Sequence, residues 1–315
     1  TIPSKLLSEI VNKLPNETPV SLEVDENSDN ILIKSDRGAF NLKGIPSDEY
    51  PNLPFVESGT SLNIDPSSFL KALKSTIFAS SNDDSKQLLT GVNFTFKPNY
   101  LESASTDGHR LAVALIGNEE YIENKENSSS NVDDLSVTIP TRSLREIEKL
   151  VSLRTSENSI KLFYDKGQVV FISSNQIITT RTLEGTYPNY SQLIPDSFSK
   201  ILNFNTKKLI DSLERIAVLA DQQSSVVKIK LDDTDLASIS ADAQDIGNAN
   251  ESIPVSYSGE NFDIAFNVRY LLEGLKVISS ENVLLKCNIA TTPAVFVPED
   301  NLNSFTYLVM PVQVR

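Results

Sequence analysis

A ten-residue segment that returns 137 positions later constrains this chain more than any other feature of its sequence. Thr1-Ile-Pro-Ser-Lys-Leu-Leu-Ser-Glu-Ile reappears as Thr138-Ile-Pro-Thr-Arg-Ser-Leu-Arg-Glu-Ile, and a looser third copy is Ala265-Phe-Asn-Val-Arg-Tyr-Leu-Leu-Glu-Gly. Each copy reads as the apolar end of a strand followed by an amphipathic helix, with proline at an early position in the first two. A second helix type also repeats. Leu62-Asn-Ile-Asp-Pro-Ser-Ser-Phe-Leu-Lys-Ala-Leu resembles Leu202-Asn-Phe-Asn-Thr-Lys-Lys-Leu-Ile-Asp-Ser-Leu, 140 positions on. Asp65 and Asn205 fall at its N-cap, where a side-chain oxygen satisfies an orphan N–H of the first turn. Tyr50-Pro51-Asn52 and Tyr187-Pro188-Asn189 make a third pair, again 137 apart. Alternating apolar runs between the helices, such as Val92-Asn-Phe-Thr-Phe and Lys228-Ile-Lys-Leu, predict antiparallel strands. Asp107-Gly108 predicts a tight hairpin turn, since glycine accepts the positive φ such turns require.

The predicted order is helix B over 3–14, helix A over 66–79, B over 141–151, A over 205–220 and B over 268–278, with strands between. Repeats this long are duplicated domains, because solenoid repeats are far shorter. Every complete unit runs A before B, so the chain is expected to start partway through a unit, with half a domain belonging upstream of Thr1. A first domain lacking that half has little apolar surface to bury and is expected to be marginal.

Composition narrows the chemistry. With one histidine (His109) and one cysteine (Cys287) the chain cannot build a His/Cys zinc site, and it has one candidate base for a Ser-His-Asp triad. His109 has no recognisable nucleophile and orienting partner, and reads instead as a turn residue beside Asp107-Gly108. No GxxxxGK[ST] or GxGxxG loop is present, so no nucleotide-phosphate cradle is expected. An all-carboxylate Mg²⁺ site stays open, because 42 acidic residues make chance clusters common. A lone cysteine excludes an internal disulfide framework and suits a reducing cytoplasm. There is no apolar run of membrane-spanning length and no signal-peptide pattern at the N-terminus, so no membrane association is expected. The polar stretch 119–134 reads as a solvated, disordered loop.

Net charge is −14, which opposes a broad DNA-gripping surface; any nucleic-acid role must gather positive charge in one place. Arg142, Arg145 and Lys149 stand at i, i+3 and i+7, on one helical face. Lys71 with Lys74, Lys208 with Arg215, and Arg269 with Lys276 follow the pattern in part, as does Lys5 beside Ser8 and Asn12. One such face is an ordinary solvated surface. Several, directed alike by duplicated domains, would line a channel that holds duplex DNA without sequence preference; Lys86 is assigned to it as well.

Four ordered motifs then carry a family resemblance. Thr106-Asp-Gly-His-Arg-Leu-Ala112 resembles the signature hairpin of the bacterial sliding clamp, the β subunit of DNA polymerase III. Glu49-Tyr-Pro-Asn-Leu-Pro54, Tyr187-Pro-Asn-Tyr190 with Leu193-Ile-Pro195, and Tyr307-Leu-Val-Met-Pro311 resemble further motifs of that family, so the resemblance spans the chain. It implies an α+β fold of tandem clamp domains, with antiparallel sheets outside and two helices per domain lining a central channel. The domains would be 1–60 (truncated), 61–195 and 196–315. It also implies a head-to-tail homodimeric ring around duplex DNA, which tethers a polymerase and needs no cofactor, metal or catalysis of its own. Such a processivity subunit of a nucleotidyltransferase holoenzyme works in the cytoplasm, at the nucleoid.

The same resemblance implies a pocket for short motifs of the polymerase α subunit, the clamp loader and other clamp-binding proteins. Residue by residue it would include Leu89, Thr106, Gly108, His109, Arg110 and Leu111. From later segments it would add Pro188, Gln192, Leu193, Thr292, Leu308, Met310, Pro311 and Val312. An apolar cleft with a soft methionine suits a hydrophobic linear motif, although Leu111, Leu308 and Met310 read alone as strand core. Gln192 and Gln313 depart from the arginine of some members. The implied subunit interface sets Phe40 and Leu42 against Val218 and Leu219. Two alternatives stand beside this reading: a hydrolase or nuclease using a carboxylate metal site, and a clamp-like peptide-binding scaffold or secondary clamp that does not encircle DNA.

Overall fold

The computed structural model describes residues 1–25, 29–36, 38–46, 48, 50, 60–97, 100–117, 135–152, 159–173, 176–220, 225–232, 235–243 and 246–313. The stretch 119–134 and the 49–54 motif, apart from Tyr50, lie outside them. The chain divides into two compact units, Thr1–Phe55 and Val56–Arg315.

In the first unit α1 (Ser4–Val11) precedes an antiparallel sheet of β1 (Val20–Val24), β2 (Asn30–Ser35) and β3 (Gly38–Lys43), in that spatial order. The register sets Leu22, Ile33 and Phe40 in one cross-strand row and Val24, Ile31 and Leu42 in the next, so all six share a face. Ile31, Ile33 and Leu42 are buried, whereas Leu22, Val24 and Phe40 are exposed, and α1 has no buried residue. The core of this unit is confined to the middle of its sheet.

The second unit builds one plan twice. The first copy runs β4 (Thr60–Ile64), α2 (Pro66–Thr76), β5 (Gly91–Phe96), β6 (Tyr100–Thr106), β7 (Arg110–Gly117), β8 (Leu135–Pro140), α3 (Thr141–Ser152), β9 (Ile160–Asp165), β10 (Gln168–Ser173) and β11 (Gln176–Arg181). After a strap over 182–199 the second copy begins with β12 (Lys200–Asn205), α4 (Thr206–Ala220), β13 (Val226–Leu231), β14 (Leu236–Ala243) and β15 (Gly247–Pro254). It continues through the short β16 (Ser256–Ser258), β17 (Asp263–Asn267), α5 (Val268–Leu275), β18 (Asn282–Cys287), β19 (Ala294–Pro298) and β20 (Phe305–Val309). In each copy four strands between the helices form one antiparallel sheet, and the strand before the first helix joins the three after the second in another. β20 then pairs with β7, Leu308 opposite Leu111, fusing one sheet from each copy into a nine-stranded sheet.

Helical periodicity decides what faces the sheets. α2 buries Phe69, Ala72, Leu73 and Thr76, and the Phe69 ring stands 5.7 Å from both Phe94 on β5 and Phe171 on β10, bridging the two sheets of its copy. Leu144, Ile147 and Val151 of α3 complete that core, while Leu209, Leu213 and Ile216 of α4 with Leu271 and Leu275 of α5 fill the second. The Asp65 carboxylate accepts from the Ser68 N–H at 2.7 Å, and the Asn205 carbonyl from the Lys208 N–H at 3.1 Å, capping α2 and α4. Pro3 is the N-cap residue of α1, and Pro140 closes β8 directly before α3.

Candidate functional site

The β6–β7 hairpin is shaped by its own short side chains. Gly108 has φ of +95°, and Asp107 Oδ1 accepts from the N–H groups of His109 (2.8 Å) and Arg110 (3.1 Å). The Thr106 hydroxyl donates to the Arg110 carbonyl at 2.6 Å and accepts from the Gly108 N–H at 3.1 Å. The hairpin is then held from outside. The Tyr187 phenol oxygen on the strap accepts from the Thr106 N–H at 3.1 Å, and the His109 carbonyl accepts from the Met310 N–H at 2.9 Å. Burial pushes the Tyr187 phenol up to about 12. Burial first, and the Glu102 carboxylate it donates to second, hold the Tyr190 phenol above its usual range, so both tyrosines stay neutral.

Side chains alternate across a strand, so β7 sends Leu111 and Val113 to one face of the sheet and Arg110, Ala112 and Ala114 to the other. On the first face Leu111, Val113 and Ala104 meet Leu308, Val295 and Val297 in an apolar cluster separate from both helical cores. Tyr190, Ile194 and Phe198 of the strap, with Leu284, pack over it. Of the predicted pocket residues Leu193 is 53% and Met310 38% exposed, whereas Leu111 and Leu308 are buried. Pro188 and Gln192 are exposed on the strap, Pro311 is half-buried, and Val312 donates its N–H to the Ala265 carbonyl at 2.8 Å. Leu89 is half-buried in the 3₁₀ segment Asp84–Thr90. Thr292 forms only local bonds, to Ile289 in the turn after β18, and nothing draws it to the hairpin.

Two placements, those of Arg110 and Leu42, differ from the expectation. Arg110 is buried on the helix side, where its guanidinium binds Asp107 Oδ2, Glu273 and the Phe78 carbonyl, so strand parity turns it away from the Leu111–Leu308 patch. Lys86, assigned to the DNA-facing set, lies beside the hairpin, its Nζ 3.4 Å from the Asp107 carbonyl. Leu42 is packed beneath its own sheet, whereas Phe40 and Val218 (68% exposed) are open and Leu219 is half-buried.

The helix cations are all exposed: Lys5, Lys71, Lys74, Arg142, Arg145, Lys149, Lys208, Arg215, Arg269 and Lys276. At least three are already matched by acids, Lys149 by Glu146 (2.8 Å), Lys276 by Glu214 (2.6 Å) and Arg215 by Glu251. Lys71, Lys74 and Lys276 border one cavity of about 710 Å³ that also includes Asp300. A cavity of about 800 Å³ on the patch side runs between the strap and the strands; of the predicted pocket residues it touches Pro188 alone. Among the described residues no group of three or more His, Cys, Asp or Glu is placed to hold a metal ion, and no helix is long and apolar enough to cross a membrane. Sequence reasoning missed Phe78, Tyr270 and Glu273, which hold Arg110; Phe78 comes from the turn after α2, whereas Tyr270 and Glu273 come from α5 of the other copy, and neither approach leaves a local signal.

Two copies of one plan of two helices and two antiparallel sheets, joined edge to edge with an apolar strap-covered patch at the join, define a tandem-domain protein. The family models agree in detail: the DNA polymerase III beta subunit N-terminal domain matches residues 1–54, its central domain 63–189 and its C-terminal domain 191–313. The Beta sliding clamp of Synechococcus elongatus is 42% identical over 316 residues, covering all of this chain and 81% of that protein. That of Bacillus subtilis is 32% identical over 313 residues, covering 98% and 79%. The solved sliding clamp of Bacillus subtilis superposes with a TM-score of 0.87 at 29% identity, covering 100% of this chain and 80% of that one. The beta chain of Streptococcus pneumoniae gives 0.86 at 30%, covering 99% and 79%. The chain belongs to the beta sliding clamp family.

Proposed function

We propose that this chain is a DNA sliding clamp, a subunit that performs no chemistry and makes a DNA-directed DNA polymerase processive by linking it to duplex DNA. Its domains are read as 1–60, 61–195 and 196–315. The observation that carries this reading is the patch at the β7–β20 join. Its floor is the buried pair Leu111 and Leu308, covered by Tyr190, Ile194 and Phe198, and the exposed Leu193 and Met310 are read as its accessible surface. Thr106, Gly108, His109, Pro188, Gln192, Pro311 and Val312 are assigned to its rim, and Leu89 and Thr292 to its margin, on the family resemblance. That arrangement suits a short extended motif with hydrophobic anchors, the kind of partner a polymerase α subunit or clamp loader would present.

DNA is held topologically in this reading, so a net charge of −14 is no obstacle. The basic faces of α2, α3 and α4 need only cushion the phosphates, and any residual affinity falls steeply with salt. β15 is an open sheet edge in the described chain, and Val218 is exposed at the end of α4. These features support a head-to-tail homodimer in which β15 and Val218 of one subunit meet Phe40 of the next. Such a subunit acts at the nucleoid, in the bacterial cytoplasm.

The test is a fluorescence-anisotropy titration with a short hydrophobic clamp-binding peptide. Leu193→Ala and Met310→Ala are better probes than substitutions at Leu111, because both side chains are exposed and their truncation spares the fold. Each is expected to weaken saturable binding by roughly fivefold or more. A folded wild-type chain that does not bind the peptide refutes the docking site.

A further inference from the structure

Among the described residues Arg110 is the one charged side chain in the buried set, and a buried guanidinium is costly unless fully partnered. Its partners come from three places. Nε–H donates to Asp107 Oδ2 in its own hairpin at 3.1 Å, and one Nη donates to the Phe78 carbonyl after α2 at 2.8 Å. The other Nη donates to the Glu273 carboxylate on α5, in the second copy of the repeat. The guanidinium carbon lies 4.4 Å from the centre of the Tyr270 ring and 5.6 Å from that of Phe78, so flat faces guide it above and below. Tyr270 is itself fixed, its carbonyl accepting from the Tyr307 hydroxyl at 2.7 Å.

The hairpin so anchored is the one from which the patch is hung. Thr106 receives the strap through Tyr187, His109 receives the C-terminal segment through the Met310 N–H, and Leu111 is the next residue after Arg110. We infer that Arg110 and Glu273 are positioning residues for partner docking, acting from the opposite face of the sheet: their ion pair fixes the hairpin against α5 and thereby sets the spacing of strap, patch and C-terminal segment. The inference rests on the docking reading above. Loosening the hairpin lowers the fraction of molecules with a competent patch, and apparent affinity falls by the same factor. Neither residue needs to touch the peptide.

Glu273 is the better point of attack. Its side chain is 48% exposed, so Glu273→Gln removes the charge without opening a cavity, while Asp107 and the Phe78 carbonyl still hold the guanidinium. The experiment measures peptide affinity, thermal melting and hydrogen exchange of the 106–110 amides for wild type, Glu273→Gln, Glu273→Asp and Arg110→Lys. The expected result is an affinity loss of roughly fivefold for Glu273→Gln, with faster exchange at the hairpin and a melting temperature within about 4 °C of wild type. Glu273→Asp should recover part of the affinity. Arg110→Lys keeps the charge but loses the planar fork and its stacking, and should weaken binding at least as much. Peptide binding by Glu273→Gln equal to wild type, or lost only in step with melting, overturns the inference while leaving the docking site intact. A wild type that does not bind overturns both.

Discussion

Replacing Tyr187 by phenylalanine removes one oxygen and keeps the ring, which isolates the bond that ties the strap to the hairpin. That oxygen accepts from the Thr106 N–H at 3.1 Å, and Thr106 is 7% exposed. A buried N–H left without a partner costs about 1–3 kcal/mol. Tyr187 also borders the cavity of about 800 Å³ between strap and sheet, so water can reach the vacated acceptor position and the cost should fall at the lower end. About 1–2 kcal/mol corresponds to a roughly 5- to 30-fold rise in local opening. The T-shaped contact of Tyr187 with Tyr190 survives the change, so global stability should fall by no more than that same amount. Hydrogen–deuterium exchange by mass spectrometry reads the effect directly. The amide of Thr106 and those of the strap should exchange faster by that factor, while the core of β5 and β10 should speed up by no more than it and remain far slower. Unchanged exchange at Thr106 would mean that the strap is held by its apolar packing alone and that the phenol adds nothing.

Three further outcomes follow from the same structure. Phe69→Ala removes the ring that bridges two sheets and should cost about 3–5 kcal/mol, read as a fall in the urea midpoint followed by circular dichroism. A cost below about 1 kcal/mol would show that the core collapses around the gap. Gly108→Ala meets no atom closer than Lys86 Nζ at 3.9 Å, so its penalty is the backbone strain of a φ of +95°, about 1–2 kcal/mol, felt as weaker peptide binding. Wild-type affinity in that variant would contradict the hairpin's role. Cys287 is fully buried, and burial pushes its thiol up to about 11, so it stays protonated and shielded at pH 8; a thiol reagent should label it only after unfolding.

Local signals in the sequence carried the element order well, because they arise from short-range physics. The N-caps Asp65 and Asn205 and the Asp107-Gly108 turn all depend on residues within one turn of each other, and each forms as read. What escaped is non-local. No pattern in β7 or β20 announces that the two strands pair, yet that pairing creates the patch. The helix-side direction of Arg110 follows from the parity of β7, which is known only once Leu111 is placed. Glu251 and Glu214, which match Arg215 and Lys276, lie far from them in sequence, so the basic faces looked more open on paper than they are. Leu42 was placed at the interface by the family resemblance; the register with Ile31 buries it.

The most direct test of the central claim is whether the association with DNA is topological. The protein would be loaded onto nicked circular plasmid with a clamp loader and ATP, separated from free protein by gel filtration, and the plasmid then linearised by a restriction enzyme. The account predicts co-elution with the circle at a salt concentration that abolishes ordinary phosphate binding, and release once free ends exist. Equal retention on circular and linear DNA, or retention on neither, would contradict it.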